Sequence, residues 1–237
     1  MRAAANDALL RSQREGQAAA PMQELLDTGG AAPPHFTVDW FSRSIPAWKH
    51  LFPRVMPRPE RILEIGAFEG RSTCFMLEHI LPADLDGEIH CVDTWEGGVE
   101  HGGIAMNAVF DRFQANVAAT LKRFPRHKVI GHRRLSSAAL RELHAKGFAG
   151  RFDFVYVDGS HQAADVLEDL VLSFPLLRRG GLVICDDYTW QRQGLGQEDI
   201  LDTPKLAIDA FTNIYRRRLR FPDWPSTYQV AFQKTVA

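Results

Sequence analysis

Acidic residues follow three segments that we predict to be buried strands. Asp93 follows the second predicted strand, Asp158 the fourth, and Asp186 and Asp187 the fifth. The carboxyl ends of parallel strands meet at one edge of a sheet, where ligands bind, so we expect these side chains to lie together. Like charges held close together cost stability unless a partner compensates for them. A divalent ion such as Mg²⁺, Mn²⁺ or Ca²⁺, which prefers oxygen ligands, would relieve that repulsion.

A turn that contains two glycines precedes these carboxylates. Gly66 and Gly70 frame the connection from the first predicted strand to a helix with Ser72 near its start. Glycine lets the backbone approach a ligand closely, and a helix N-terminus favours a polar or anionic group. Asp93 stands 27 residues after Gly66, where a carboxylate can accept both hydroxyls of a ribose. We predict a nucleoside site; the alternative is a tight turn and an ordinary loop aspartate.

The spacing of this turn disfavours a nicotinamide dinucleotide. Such sites carry G-x-G-x-x-G and an acidic residue about 20 positions further on. Here Phe68 takes the place of the middle glycine, and Asp93 lies further away. A pyrophosphate would fit poorly, whereas a nucleoside without phosphates would fit better. An NAD-type oxidoreductase and a non-catalytic nucleoside-binding module are the less favoured alternatives.

Two histidines are candidates for a general base. His161 follows Asp158 by three residues, and imidazole, with an ordinary pKa of ~6.5, suits proton removal near neutrality. His161 could instead ligate a metal or make a hydrogen bond at the start of a helix. His101, in the glycine-containing loop at 97–103, is the second candidate.

Alternating strand and helix patterns must position these residues. Predicted strands cover 61–65, 88–92, 128–131, 152–157 and 182–185. Predicted helices cover 72–81, 105–124, 137–146, 163–177 and 205–215, and 227–233 alternates like a further strand. Gly180 and Gly181 are predicted to end the helix at 163–177. On that helix, Glu168 and Asp169 are interpreted as part of a solvated face. Repeated β-α-β units predict an α/β fold, with a parallel sheet covered by helices on both faces.

The chain divides into an N-terminal arm and one domain. Residues 1–34, rich in Ala, Gln and Gly, are predicted to be a flexible or weakly helical arm, and 35–237 form the domain. The domain begins with an amphipathic helical extension over 40–52, interrupted by Pro46. A net charge of −1 disfavours a nucleic-acid partner, and no run of 18 apolar residues predicts a membrane span. Three scattered cysteines fit reduced thiols in the cytoplasm.

Several motifs occur in the order found in one enzyme family. They are EIGAFEGRST at 64–73, CVDTWEGG at 91–98, YVDGSHQAADVLEDL at 156–170, GGLVICDDY at 180–188 and PKLAIDAF at 204–211. Together they resemble class I S-adenosylmethionine-dependent methyltransferases of the type 24 family, and the first two resemble the catechol O-methyltransferase group. The resemblance runs from about Asp39 to the end of the chain. It implies a Rossmann-like class I methyltransferase fold with a mostly parallel seven-stranded sheet.

The resemblance also implies roles for residues around the cofactor, S-adenosyl-L-methionine. Glu64 and the Gly66 backbone would hold its methionine part, Asp93 its ribose, and Ser136 would lie beside its adenine. The implied cofactor-binding set is Glu64, Gly66, Ala67, Gly70, Ser72, Asp93, Thr94, Trp95, Ser136 and Asp158. For Trp95, packing near the adenine and a place in the core are both left open.

In metal-dependent enzymes of the catechol type, acids after strands four and five hold Mg²⁺. The resemblance implies the same for Asp158, Asp186 and Asp187, with Mn²⁺ or Ca²⁺ as alternatives to Mg²⁺. Such a metal would orient a substrate hydroxyl and lower its pKa. Those enzymes use a lysine as base; this sequence has none at the matching place, so His161, with Asp158, is the predicted catalytic residue.

The implied function is S-adenosylmethionine-dependent O-methylation of a small molecule, such as a sugar or secondary metabolite, assisted by a divalent metal. The first alternative is a metal-free methyltransferase with His161 as general base. Acceptor specificity is expected in the loops at 97–103 and 190–203 and in the 40–52 stretch. Aromatic residues in that stretch would also allow a homodimer.

Overall fold

The computed structural model describes residues 33–98, 101–194, 197 and 199–236. The predicted arm therefore lies almost wholly outside the described residues, as do residues 99–100 of the first predicted specificity loop and 195, 196 and 198 of the second. Within the described ranges, no helix is long and apolar enough to cross a membrane.

A seven-stranded sheet with strand order β3-β2-β1-β4-β5-β7-β6 forms the centre of the domain. The strands are β1 (Arg61–Ile65), β2 (Glu88–Asp93), β3 (Lys128–Arg133), β4 (Phe152–Val157), β5 (Leu177–Cys185), β6 (Leu219–Arg220) and β7 (Val230–Lys234). The first five strands pair in parallel, and β7 runs antiparallel between β5 and β6. The strand order reverses between β1 and β4, which is the switch point where such sheets bind ligands.

Within the described ranges, six α-helices cover the two faces of the sheet. They are α1 (Ile45–Val55), α2 (Arg71–His79), α3 (Val109–Leu121), α4 (Ser136–Ala145), α5 (Ala163–Ser173) and α6 (Pro204–Ile214). Side chains of a strand alternate between faces, so β4 sends Phe154 and Tyr156 into the core beneath α1–α3. Val155 and Val157 of the same strand enter the core beneath α4–α6. The predicted two-sided α/β fold is confirmed.

Two predicted interruptions in the chain are wrong. Pro46 lies in the first turn of α1 and does not interrupt it, because a proline there loses no helical hydrogen bond. The predicted helix at 163–177 ends at Ser173, two residues before Pro175, and β5 already begins at Leu177. The Gly180-Gly181 pair therefore lies inside β5.

An irregularity in the β4–β5 pairing explains these two glycines. Phe152 pairs with Leu177 and Phe154 with Leu182, so one strand carries extra residues. Gly180 has a φ of +77°, and a Cβ on Gly181 would lie 2.6 Å from the Leu177 side chain. The bulge needs residues without side chains at both positions. The short strand β6 has no counterpart among the predicted elements.

Candidate functional site

A cavity of about 800 Å³ opens beyond the carboxyl ends of β1, β2, β4 and β5. We call its two parts the nucleoside end (the turn at 66–68, Asp93 and Ser136) and the acid rim (Asp158, Asp186, Asp187 and His161). Predicted site residues that line the cavity are Gly66, Ala67, Ser72, Asp93, Thr94, His101, Ser136, Asp158, His161, Asp186 and Asp187. Its volume is within the usual range for small-molecule sites.

The turn after β1 requires glycine at its first position. Gly66 has a φ of +84°, and a Cβ built on it would lie 1.8 Å from the backbone oxygen of Asp158. Its N–H donates to the Val92 carbonyl over 2.8 Å, which ties the turn to β2. Phe68, two residues after Gly66, has a φ of 45°, a conformation that is costly outside glycine. The other described non-glycine residues with positive φ, Trp95 and Asp187, follow β2 and β5, so the strain is concentrated around the cavity.

Asp93 holds this turn with its carboxylate. The backbone N–H groups of Ala67 and Phe68 each donate to Asp93 Oδ2 over 2.9 Å, and that of Trp95 donates to Oδ1 over 2.7 Å. The side chain also borders the cavity. A carboxylate has about four acceptor positions, so with three in use Asp93 keeps about one for a hydroxyl group of a ligand.

Glu64 lies beneath the cavity and not at its wall. The side chain is fully buried. It accepts hydrogen bonds from the hydroxyls of Ser72 and Thr73 and, over 3.2 Å, from Cys91 Sγ. Burial raises the pKa of Glu64 to about 7, although these hydrogen bonds favour the charged form. Glu64 therefore braces the start of α2 from below.

Gly70 and Trp95 also support the turn from outside the cavity. Gly70 adopts a φ of +80° directly before α2, with the Phe113 ring 3.0 Å from where its Cβ would be. Trp95 is 2% exposed, packs on Phe110 and Phe113, and donates through Nε1 to the Phe68 carbonyl over 2.8 Å. Of the two places left open for Trp95, the structure shows the core.

The far wall of the nucleoside end comes from α4 and α5. Ser136 begins α4 and borders the cavity together with Asp169 of α5. Asp169 is 2% exposed, so its interpretation as part of a solvated face is wrong. Glu168 is exposed and pairs with Arg141, as a solvated residue would.

The three carboxylates of the acid rim have different electrostatic environments. Burial, followed by the charges of Asp186 and Asp187, raises the pKa of Asp158 well above its usual range. Burial and the charge of Asp187 likewise raise the pKa of Asp186. Burial opposes ionisation of Asp187 too, but its hydrogen bond and charge interaction with His161 lower the pKa of this carboxyl overall. Asp187 is therefore the carboxyl of the rim whose charged form is favoured.

Asp186 turns towards the protein interior. Its Oδ2 accepts the Tyr156 hydroxyl and, over 2.8 Å, Gln229 Nε2, while its Oδ1 accepts the Asp187 N–H over 2.7 Å. Gln229 in turn accepts from Trp48 Nε1 over 3.0 Å. These bonds fix the carboxyl to α1 and to the residue before β7.

The side chains of the rim do not form a metal site as they are arranged. Asp186 is engaged by Tyr156 and Gln229, and Asp187 by His161 and Arg43. Across the described ranges, no three or more His, Cys, Asp or Glu side chains are grouped so that they could hold a metal ion. Metal assistance stays a prediction from the sequence.

His161 and Asp187 form a hydrogen-bonded pair beside the cavity. His161 Nε2 lies 2.7 Å from Asp187 Oδ2, and the imidazole packs on Trp190 with ring centroids 4.2 Å apart. Its Nδ1 is buried and has no hydrogen-bond partner within the part of the chain that the structure describes. A carboxylate that accepts Nε2–H leaves Nδ1 as the proton acceptor, which is the state that a general base needs.

Arg43 and Tyr228 complete the surroundings of Asp187. Arg43 lies 3.6 Å from Asp187 Oδ1, and its guanidinium stacks 3.9 Å above the centroid of the Tyr228 ring. We did not predict either residue, nor Gln229, from the sequence. They come from the segment before α1 and the one before β7, which lie beside β5 only in the folded chain. His101, the second base candidate, stacks on Phe68 and contacts Trp40 edge-on.

A family model described as a methyltransferase domain, of type 24, matches residues 63–188, which is more than half of the chain. The chain belongs to this methyltransferase family. The family match and the strand order identify it as a class I S-adenosylmethionine-dependent methyltransferase, as its motifs predict. An uncharacterized protein of Sinorhizobium fredii is 30% identical over 139 residues, which are 59% of this chain and 14% of that protein. The methyltransferase thus spans about a seventh of the length of this relative.

Solved structures share the fold of the methyltransferase at low sequence identity. An O-methyltransferase from Bacillus cereus, in complex with S-adenosylhomocysteine, has a TM-score of 0.60 and 15% identity, with 84% of each chain covered. The O-methyltransferase TomG from Streptomyces achromogenes, in complex with S-adenosylmethionine, has a TM-score of 0.57 and 20% identity. That match covers 91% of this chain and 86% of TomG.

Proposed function

We propose that this methyltransferase transfers the methyl group of S-adenosylmethionine to a hydroxyl of a small molecule. The observation that carries the proposal is the pairing of His161 with Asp187 at the rim of a cavity whose other end has the glycine turn of the family. The two structures described above, both with bound cofactor or its product, are O-methyltransferases, which supports oxygen as the accepting atom.

The cofactor would occupy the cavity from the turn to α4. Gly66 and Ala67 border the cavity where its methionine part would lie, and Asp93 would accept a hydroxyl of its ribose at its remaining acceptor position. Ser136 would border the adenine. Glu64, Gly70 and Trp95 would act by holding the turn, since they lie behind the cavity wall.

The chemical step needs one proton acceptor at the rim. His161 Nδ1 would take the proton of the acceptor hydroxyl while its oxygen attacks the methyl carbon. The carbon–sulfur bond breaks with its electrons on sulfur, which yields a methyl ether and S-adenosylhomocysteine. Asp187 would keep the imidazole oriented and stabilise its protonated form, and orientation of the two reactants would contribute much of the rate.

The acceptor would lie between the acid rim and the segment before α1. Trp40, Phe41 and Arg43 border the cavity there. These side chains offer apolar surface and one cationic group, which suits a small hydroxylated molecule. TomG acts in tomaymycin synthesis, and we propose a secondary metabolite or a sugar as the class of acceptor for this chain.

A panel of hydroxylated sugars and secondary metabolites, each incubated with S-adenosylmethionine, tests the proposal. Mass spectrometry should find one acceptor gain a single methyl group as S-adenosylhomocysteine accumulates. Asp187→Asn should slow this reaction about 100-fold or more, because the imidazole would lose its orienting charge. Parallel reactions after chelation, with and without added Mg²⁺, measure whether a metal assists. Turnover that is lost on chelation and restored by Mg²⁺ would support the metal prediction.

A further inference from the structure

Asp169 is a buried carboxyl group that the proposed chemistry does not use. It lies on the second turn of α5, is 2% exposed, and borders the nucleoside end of the cavity. Its Oδ1 has no hydrogen-bond partner among the described residues. A buried acceptor without a donor costs free energy, so such groups commonly await a ligand or a water.

The surroundings of Asp169 hold the carboxyl in place. The Ser136 side chain faces it across the gap between α4 and α5 and favours its charged form. On the other side, a Cβ on Gly159 would lie 3.6 Å from Asp169 Oδ2, so the glycine leaves space beside the carboxyl. Both neighbours border the same cavity. The Asp169 carboxyl is therefore a hydrogen-bond acceptor at the nucleoside end of the cavity, near the start of α4.

The charge of the Asp169 carboxyl also determines which ligand groups it could bind. Burial, together with the charges of Asp165 and Glu168, raises the pKa of Asp169 to about 7, although Ser136 favours the ionised form. A partner that donates a hydrogen bond would favour the carboxylate, whereas a carbonyl oxygen would meet repulsion. The only hydrogen-bond donor on the purine edge of the expected cofactor is its 6-amino group.

We infer that Asp169 recognises the 6-amino group of the adenine through Oδ1, which makes it a specificity-determining residue for the cofactor. This inference rests on the proposed function, because it requires the adenine beside Ser136. The discrimination would be between a 6-aminopurine and a 6-oxopurine. A site built to pair one polar group rejects the analogue that leaves that group unpaired.

Calorimetric titration at pH 8 tests the inference without any methyl acceptor. The probes are S-adenosylhomocysteine and S-inosylhomocysteine, which differ by an amino group and an oxygen on the purine. The wild-type chain should bind the amino form at least about 10-fold more tightly. Asp169→Asn should reduce this ratio to about 3-fold or less, because an amide can donate to the oxygen as well as accept from the amino group.

Asp111→Asn is the matched control, since Asp111 is exposed on α3 and does not border the cavity. It should leave the ratio unchanged. An Asp169→Asn variant that still binds S-adenosylhomocysteine, with the wild-type ratio intact, would overturn the inference alone. If Asp169→Asn does not fold, Ser136→Ala provides the second test, because loss of the hydroxyl that favours the charged form of the carboxyl should also reduce the ratio. A folded wild-type chain that binds neither probe would overturn the proposed function and this inference with it.

Discussion

Asp93 at the nucleoside end of the cavity and the paired aspartates of the acid rim differ in the partners that hold them. At the nucleoside end, Asp93 accepts three backbone N–H groups, all from the loops that follow β1 and β2. At the acid rim, Asp186 and Asp187 are held by side chains of Tyr156, Gln229 and His161 from separate parts of the chain. The backbone partners of Asp93 hold the conformation of the turn, whereas the side-chain partners at the rim orient groups that can exchange protons. The first arrangement suits binding, and the second suits catalysis.

The largest effect should separate catalysis at the rim from binding at the other end. His161→Ala removes the proposed base, and loss of a positioned base typically costs about 10²- to 10⁴-fold in rate. We expect kcat for the accepted substrate to fall by that factor while the affinity for S-adenosylhomocysteine stays within about 3-fold. Steady-state kinetics and calorimetry measure the two quantities.

His50→Ala is the control for that change, because His50 is exposed on α1 outside the cavity. It should leave both quantities unaltered. Full turnover by His161→Ala would show that the imidazole is not the base.

The next largest effect should be on the pH dependence of stability, through the Glu64 carboxyl beneath the nucleoside end. Glu64 has a pKa of about 7 in the folded chain against 4.5 in the unfolded chain, so the folded state holds its proton more tightly. Stability from this group is complete below pH ~4.5 and is lost as the pH rises through about 7, by on the order of 3 kcal/mol. The Glu64→Gln variant has no carboxyl to ionise, so its free energy of unfolding does not show this loss. Relative to wild type, the variant should therefore gain unfolding free energy of that order between pH 4.5 and pH 8.

Chemical denaturation at several pH values measures this difference. Glu60→Gln, at an exposed position just before β1, should track the wild type throughout. A difference between Glu64→Gln and wild type that does not change with pH would contradict the assignment of a buried, proton-holding Glu64.

The smallest effect should be on the affinity for S-adenosylhomocysteine when Asp93, which holds the turn, is replaced. Asp93→Ala removes a charged acceptor of three backbone N–H groups, and hydrogen bonds to a charged group contribute about 1.5–3 kcal/mol. We expect the affinity for S-adenosylhomocysteine to fall about 10- to 100-fold. Asp86→Ala, at an exposed position, should bind normally. Equal affinity of Asp93→Ala and wild type would place the nucleoside elsewhere.

The contrast between the two ends also explains what could be predicted from the sequence. The parallel sheet and the turn at Gly66 follow from local patterns, because strand periodicity and glycine spacing act over few residues. The partners of Asp186 could not be predicted, since Gln229 stands 43 residues away, and the strand after it is antiparallel. Asp169 was misinterpreted because the sequence pattern of its helix does not show that α4 covers this position in the folded chain.

The central claim, a nucleoside site for S-adenosylmethionine, is tested most directly by calorimetric titration of that cofactor, and separately of NAD, into the folded wild-type chain. We predict binding of S-adenosylmethionine at micromolar concentration, with no measurable heat from NAD. Binding of NAD without binding of S-adenosylmethionine, or binding of neither, would contradict the claim.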